Sequence, residues 1–335
     1  MQEALFFKTL DDGRIQCTLC PRNCKLKPGQ HGFCYVRQNV GGKLITLAYG
    51  KPYAVNVDPI EKKPLFHFLP GTQALSIGTA GCNMACKYCQ NWDLSKAKFD
   101  QTKAMDISPA RMLQMALHYN SDSIAYTYNE PTIFAEYAMD TAREGQDYNL
   151  KNVMITNGYI NPEAINEVYK DIDAANVDLK SFSSEFYEKL TLSRLEPVLT
   201  TLKHLKKIGI WIEITNLIIP GYNDNIEEIT RMCEWIRDEL DTFVPLHFTA
   251  FHPSYKLTQV HSTKPSTLLR IRERALEIGL KYVYVGNIFN EEASSTYCHN
   301  CKSLLVRRNW YNTAVVNLSS GYCNNCGEAI PGVFK

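Results

Sequence analysis

Gly78-Thr-Ala-Gly-Cys-Asn-Met-Ala-Cys-Lys-Tyr-Cys89 is the stretch that decides how the rest of the chain is read. Its three cysteines, Cys82, Cys86 and Cys89, stand in a C-x3-C-x2-C spacing directly after the apolar run Ala74–Ile77, which reads as a strand. An iron–sulfur cubane takes one thiolate per iron. Three thiolates leave one iron open, and an open coordination position is what metal chemistry on a bound substrate requires. Gly78 and Gly81 let the backbone turn tightly beside such a cluster. The competing reading is a zinc or disulfide loop short of its fourth ligand.

Outward from this loop, short β-rich runs alternate with helical stretches. The candidate strands are Ala74–Ile77, Ser123–Tyr126, Asn152–Thr156, Asn176–Leu179, Trp211–Ile218, Leu246–Phe251 and Tyr282–Val285. Helical segments include Ser108–Tyr119, Thr132–Glu144, Pro162–Lys170, Ser183–Leu190 and Asn225–Leu240. Such alternation implies βαβ units and a parallel sheet. The expected class is α/β, a partial (β/α)6 barrel with its chemistry at the C-terminal ends of the strands. It is expected over residues 73–290, after a Cys-rich module and approach segment over 1–72 and before a zinc-ribbon-like module over 291–335.

Twelve cysteines are too many for casual use, and eleven fall into three groups. In a reducing compartment, grouped cysteines more often bind metal than form disulfides. Cys298-x2-Cys301 and Cys323-x2-Cys326, 21 residues apart, suit four thiolates around Zn²⁺, with a rubredoxin-like iron as the alternative. Cys17-x2-Cys20-x3-Cys24-x9-Cys34 supplies another four, for zinc or a second, closed [4Fe-4S] cluster. Spacing does not separate these two, and zinc or another structural metal is the reading preferred here. Cys233 stands alone, at helical spacing with Ile226, Ile229 and Ile236, and is expected to pack as a small hydrophobe. Arg307, Arg308, Trp310 and Tyr311 are read as a solvated β-ribbon rather than a single-strand nucleic-acid surface.

Bulk numbers narrow the class. Formal net charge is +1, from 36 Lys and Arg against 35 Asp and Glu, which gives no electrostatic case for nucleic acid or a membrane surface. Met1–Asp12 lacks the apolar core of a signal peptide, and no run suits a membrane span, so a cytosolic protein is expected.

Four further motifs follow candidate strands: Tyr128-Asn129-Glu130-Pro131, Thr156-Asn157-Gly158, Asp178-Leu179-Lys180 and Phe251-His252-Pro253. With the cysteine loop they resemble the radical S-adenosylmethionine (SAM) superfamily. That resemblance implies a [4Fe-4S] cluster on Cys82, Cys86 and Cys89. Its open iron would chelate SAM, which one electron splits to methionine and a 5′-deoxyadenosyl radical. It also implies that Tyr88 borders the adenine and that Asn129 and Glu130 occupy the place of a Gly-Gly-Glu-Pro motif holding the methionine amino group. Thr156-Asn157 and Asp178 with Lys180 look like motifs of pyruvate formate-lyase activating enzyme. There the lysine nears the SAM carboxylate and the aspartate helps hold a monovalent cation; this chain has Ile155 where that subfamily has an aspartate. His252 stands where those enzymes place a histidine, with a turn residue the equal alternative. His67 and His247 have no such motif and are read as structural.

Over its whole length the chain is similar to the radical SAM member of the AmmeMemoRadiSam system, on Cys17-Thr-Leu-Cys-Pro, Gly32-Phe-Cys-Tyr-Val-Arg-Gln-Asn39 and Val57-Asp-Pro-Ile-Glu-Lys-Lys-Pro-Leu-Phe-His-Phe68. This implies an electron donor such as flavodoxin or ferredoxin, and a MEMO-like protein as a partner. The expected activity is hydrogen abstraction from a small molecule or macromolecule. A glycyl-radical activase and a non-catalytic iron–sulfur and zinc scaffold are the alternatives.

Overall fold

The computed structural model describes residues 2–335. One eight-stranded sheet organises them: β1 (Ala54–Pro59), β2 (Gln73–Gly78), β3 (Ser123–Tyr126), β4 (Lys151–Thr156), β5 (Ala174–Asp178), β6 (Trp211–Ile218), β7 (Leu246–Ala250) and β8 (Val283–Gly286). Spatial order equals chain order. β2 to β8 are parallel, while β1 runs antiparallel beside β2. Consecutive parallel strands need a crossover. These are α1 (Pro109–His118), α2 (Ala135–Glu144), α3 (Pro162–Val168), α4 (Glu196–Lys207), α5 (Ile226–Glu239) and α6 (Pro265–Ile278). β8 and β1 form the sheet's edges, so the barrel is partial.

The local chemistry follows the pattern. Parallel strands covered by helices are apolar throughout, and all four residues of β3 are buried. Ser108 caps α1 by accepting from the Arg111 N–H, and Asn225 caps α5 by accepting from Glu227 and Glu228. Ile229, Met232, Cys233 and Ile236 form the buried face of α5. Two differences stand out. Ser183–Leu190 is a short helical turn, Ser184–Phe186, opening into a wide turn over Tyr187–Thr191, whereas the longer α4 follows it. β1 lies inside the approach segment, so the boundary at 72/73 passes between two paired strands.

That approach segment then enters the barrel from below. The Asn176 side chain donates to the Pro64 carbonyl (2.8 Å), and the Phe66 and His67 N–H groups donate to the Glu213 carboxylate (2.9 and 2.7 Å). His247 completes this carboxylate's shell at 2.7 Å. Burial acts to raise the Glu213 pKa, and the hydrogen bonds and charges around it outweigh burial and lower it. His67 and His247 are therefore structural, as expected of them.

The C-terminal module pairs Thr296–Tyr297, Leu304–Asn309 and Asn312–Val315 in one sheet and Leu318–Ser319 with Tyr322–Cys323 in a hairpin. Arg308 departs from the expectation of a solvated ribbon. It is fully buried, donates to the Phe66 carbonyl and Thr296 hydroxyl (2.7 Å each), and faces Glu61 at 3.7 Å. The strand's other face had to be covered because it packs against the barrel floor. At the other end, Arg37 pairs with Glu136 of α2 while both are buried, fastening the N-terminal module. No helix among the described residues is long and apolar enough to cross a membrane.

His67 makes the fold acid-sensitive. Burial lowers its pKa to about 4, whereas an unfolded histidine takes up a proton near 6.5. The unfolded chain thus binds the extra proton first, and stability falls as pH drops from about 6.5 towards 4, by about 2 kcal/mol at pH 5. Melting temperatures at pH 7.5 and 5 should show this loss, and His67→Gln should lessen it; an unchanged difference would exclude His67 as the source.

Candidate functional site

Both glycines of the cysteine loop answer to packing. A Cβ at Gly78 would lie 2.9 Å from the Thr127 carbonyl and from the Tyr128 Cβ. Gly81 has φ +87°, and a Cβ there would collide with the Cys34 carbonyl oxygen. Asn129 ties the loop to the end of β3: its oxygen accepts from the Thr79 N–H (3.1 Å), and its amide donates to the Thr79 hydroxyl (3.1 Å) and the Gly81 carbonyl (2.8 Å). Tyr128 adopts φ +68°, a conformation natural to glycine, so replacing the glycine keeps the turn. Its hydroxyl donates to Asp58 at 2.7 Å.

Cys82, Cys86 and Cys89 line a cleft of about 260 Å³ at the C-terminal ends of the strands. Tyr88, Asn129, Asn157, Asp178 and Lys180 line it too, with Thr215, Thr249 and Asn287 from β6, β7 and the turn after β8. Lys180 Nζ lies 2.8 Å from an Asp178 oxygen. Burial acts to lower the lysine pKa, but Asp178 and the nearby Cys86 and Tyr88 raise it, so Lys180 keeps its proton. Burial pushes the Cys82 thiol up, and the Glu130 carboxylate adds to this. Without metal, Cys82 is a thiol; a cluster would deprotonate it. The Met84 N–H (3.4 Å) and the Asn157 amide (3.8 Å) already point at its sulfur.

Two sequence candidates lie beneath the cleft rather than in it. Glu130 is fully buried and accepts from the Thr132 N–H (2.9 Å), the Thr156 hydroxyl (2.7 Å) and the Asn157 N–H (2.8 Å). Thr156, also buried, spends its hydroxyl on Glu130 and the Gly158 N–H. His252 is exposed beside Ser262 (3.2 Å) and outside the cleft lining. Tyr128, quoted in its motif without a role, lines the cleft as well, and sequence reasoning passed over Asn91 and Asn287, which the cleft also includes. No spacing marks these residues, because they reach the cleft from separate loops. A recess of about 100 Å³ shares Pro64, Thr249 and Asn287 with the cleft and is edged by Phe289, Trp310 and Tyr311.

A model described as the radical SAM superfamily matches residues 76–236. The chain is also 46% identical to uncharacterized protein MJ0808 of Methanocaldococcus jannaschii, covering 98% of this chain and 99% of that one. The chain belongs to the radical SAM superfamily. It is a radical SAM enzyme, a class that requires [4Fe-4S], SAM and a reductant, and the three-thiol cleft fits that cluster. Pyruvate formate-lyase 1-activating enzyme of Escherichia coli is 23% identical, over 61% of this chain and 89% of that enzyme. A radical SAM methyltransferase from Sphaerobacter thermophilus shares the fold, with a TM-score of 0.52 and 14% identity over 65% of this chain and 67% of that one.

Outside the radical SAM barrel, the Cys298, Cys301, Cys323 and Cys326 sulfurs all lie within 4.8 Å of one another and form a four-thiolate metal site. Cys17, Cys20, Cys24 and Cys34 line a separate small hollow.

Glu130→Gln should test the buried tie. The amide nitrogen would face the Asn157 N–H, donor against donor, at a cost of about 1–3 kcal/mol. A lowered melting temperature is expected; an unchanged one would mean that Glu130 does not hold the strand ends.

Proposed function

We propose that Cys82, Cys86 and Cys89 hold the catalytic [4Fe-4S] cluster and that SAM binds beside it in the cleft. The observation supporting this most is the convergence of three thiols on one polar cleft with the Asp178–Lys180 pair. When bound, the cluster supplies the electron that splits SAM into methionine and a 5′-deoxyadenosyl radical, which abstracts hydrogen from the substrate.

Within that reading, protonated Lys180 receives the SAM carboxylate and Asp178 orients it. Tyr88, buried in the wall, borders the adenine. Asn129 and Asn157 shape the floor beside Cys82, while Glu130 and Thr156 act as positioning residues below it. His252, exposed on the rim, is left out of the contact set. The Cys298, Cys301, Cys323 and Cys326 site holds zinc. Two of its sulfur pairs are 3.7 Å apart, close to the edge of a tetrahedron built on Zn–S bonds of about 2.3 Å.

Resemblance to the AmmeMemoRadiSam enzyme suggests a flavodoxin or ferredoxin as donor and a MEMO-like protein as partner. The recess beside Trp310 and Tyr311 is the proposed substrate side, and its small volume favours a small molecule or an extended segment.

The test is anaerobic reconstitution with iron and sulfide, reduction with dithionite, and mass-spectrometric assay of 5′-deoxyadenosine from SAM. Wild-type protein should form it and Cys86→Ala should not. Lys180→Met should keep the cluster's absorbance and raise KM for SAM tenfold or more; an unchanged KM would remove Lys180 from the carboxylate site. Absence of both product and SAM binding would leave the scaffold alternative.

Zinc analysis should return about one ion per chain, lost in a Cys323→Ser/Cys326→Ser variant. Iron in its place would overturn the zinc assignment.

A further inference from the structure

We infer that Cys17, Cys20, Cys24 and Cys34 bind a second, fully thiolate-capped [4Fe-4S] cluster, which relays electrons to the cluster at Cys82, Cys86 and Cys89. The relay rests on the radical SAM reading above; the cluster assignment does not.

Sulfur separation is the first argument. Four thiolates on one zinc ion must nearly touch, as the C-terminal quartet does. The N-terminal sulfurs do not: no three of them lie within 4.8 Å of one another. The sulfurs of Cys82, Cys86 and Cys89 are likewise not all within 4.8 Å of one another. A cubane places each thiolate on a separate iron and so takes sulfurs spaced more widely than a single ion does.

What the sulfurs surround is the second argument. All four line one hollow of about 20 Å³. Gly32 supplies part of its wall, with the position of a Cβ 3.8 Å from both the Cys24 and Cys34 sulfurs. Polar groups are aimed inward. Arg22 Nη2 and Arg37 Nη1 are buried without a hydrogen-bond partner, and both side chains line the hollow. The Phe33 N–H donates to the Cys24 sulfur at 3.5 Å. Although Glu136 pairs with Arg37, these two unpartnered nitrogens remain as donors beside the four thiolates, and hydrogen bonds to sulfur tune a cluster's potential.

Position supplies the relay. The Cys34 carbonyl packs on Gly81, next to Cys82 in the chain. Asn83 lines the hollow and accepts from Asn157 at 2.9 Å, and the same Asn157 amide lies 3.8 Å from the Cys82 sulfur. Cys17 and Cys34 are buried on the inner side, while Cys20 and Cys24 are partly exposed towards solvent. With a thiolate on every iron, this cluster has no open site for a substrate and is suited to electron transfer. One electron from a low-potential protein donor reduces the outer cluster from 2+ to 1+. It then passes to the inner cluster, again 2+ to 1+, reoxidising the outer one; no atom or proton is transferred.

The test uses full-length protein purified anaerobically. A Cys82→Ala/Cys86→Ala/Cys89→Ala variant leaves the N-terminal site alone. It should retain about four irons and four sulfides per chain. Once reduced, it should give an S = 1/2 electron paramagnetic resonance signal that SAM does not alter. Zinc in place of iron, or a single iron without sulfide, would overturn the cluster. For the relay, Cys20→Ala/Cys24→Ala should keep dithionite-driven 5′-deoxyadenosine formation. It should lose tenfold or more of the rate driven by reduced flavodoxin. Equal loss with both reductants, or with neither, would overturn the relay while leaving the cluster assignment to the metal analysis. A failure of wild-type protein to cleave SAM under dithionite would count against the radical SAM site instead.

Discussion

One buried carboxylate holds the reactive end of this barrel together. Glu130 gathers a donor from each of three places: the turn after β3, the last residue of β4, and the backbone that follows it. A carboxylate removed from water is costly unless its lone pairs are engaged. Here burial raises the Glu130 pKa and the three hydrogen bonds oppose that rise. The consequence reaches the metal loop. Asn129, beside Glu130, ties down Thr79 and Gly81, and Asn157, held by Glu130 through its N–H, points its amide at the Cys82 sulfur. Spacing among the cysteines alone does not set where their sulfurs sit; this tie helps to set it.

Buried ionic groups recur wherever another segment docks on the barrel. Arg37 meets Glu136 where the N-terminal module packs on α2, Arg308 faces Glu61 under the C-terminal module, and Glu213 meets His247 where Pro64–Phe68 enters the floor. Such pairs give little net stability once desolvation is counted, yet breaking one leaves an uncompensated charge. These contacts place Cys34 against the cysteine loop and Trp310 beside the recess that joins the cleft.

The same physics explains which residues serve chemistry and which serve architecture. Lys180 and Asp178 sit at the end of β5 with room in front of them, so their charges face the cleft. Glu130 and Thr156 stand in comparable sequence motifs, but both are buried and their polar atoms are engaged by neighbouring strand ends. A motif names a residue type at a strand end. Only its surroundings decide whether the polar atoms remain free.

The sequence by itself determined the parallel α/β barrel, its seven parallel strands, the three-cysteine loop and the C-terminal four-cysteine site. All of these rest on local information: periodicity along the chain, or a spacing of two or three residues. Tertiary structure alone decided the antiparallel strand Ala54–Pro59, the burial of Arg308, the removal of Glu130, Thr156 and His252 from the cleft lining, and the gathering of Cys17, Cys20, Cys24 and Cys34 around one hollow. Each depends on what residues distant in sequence place against the group.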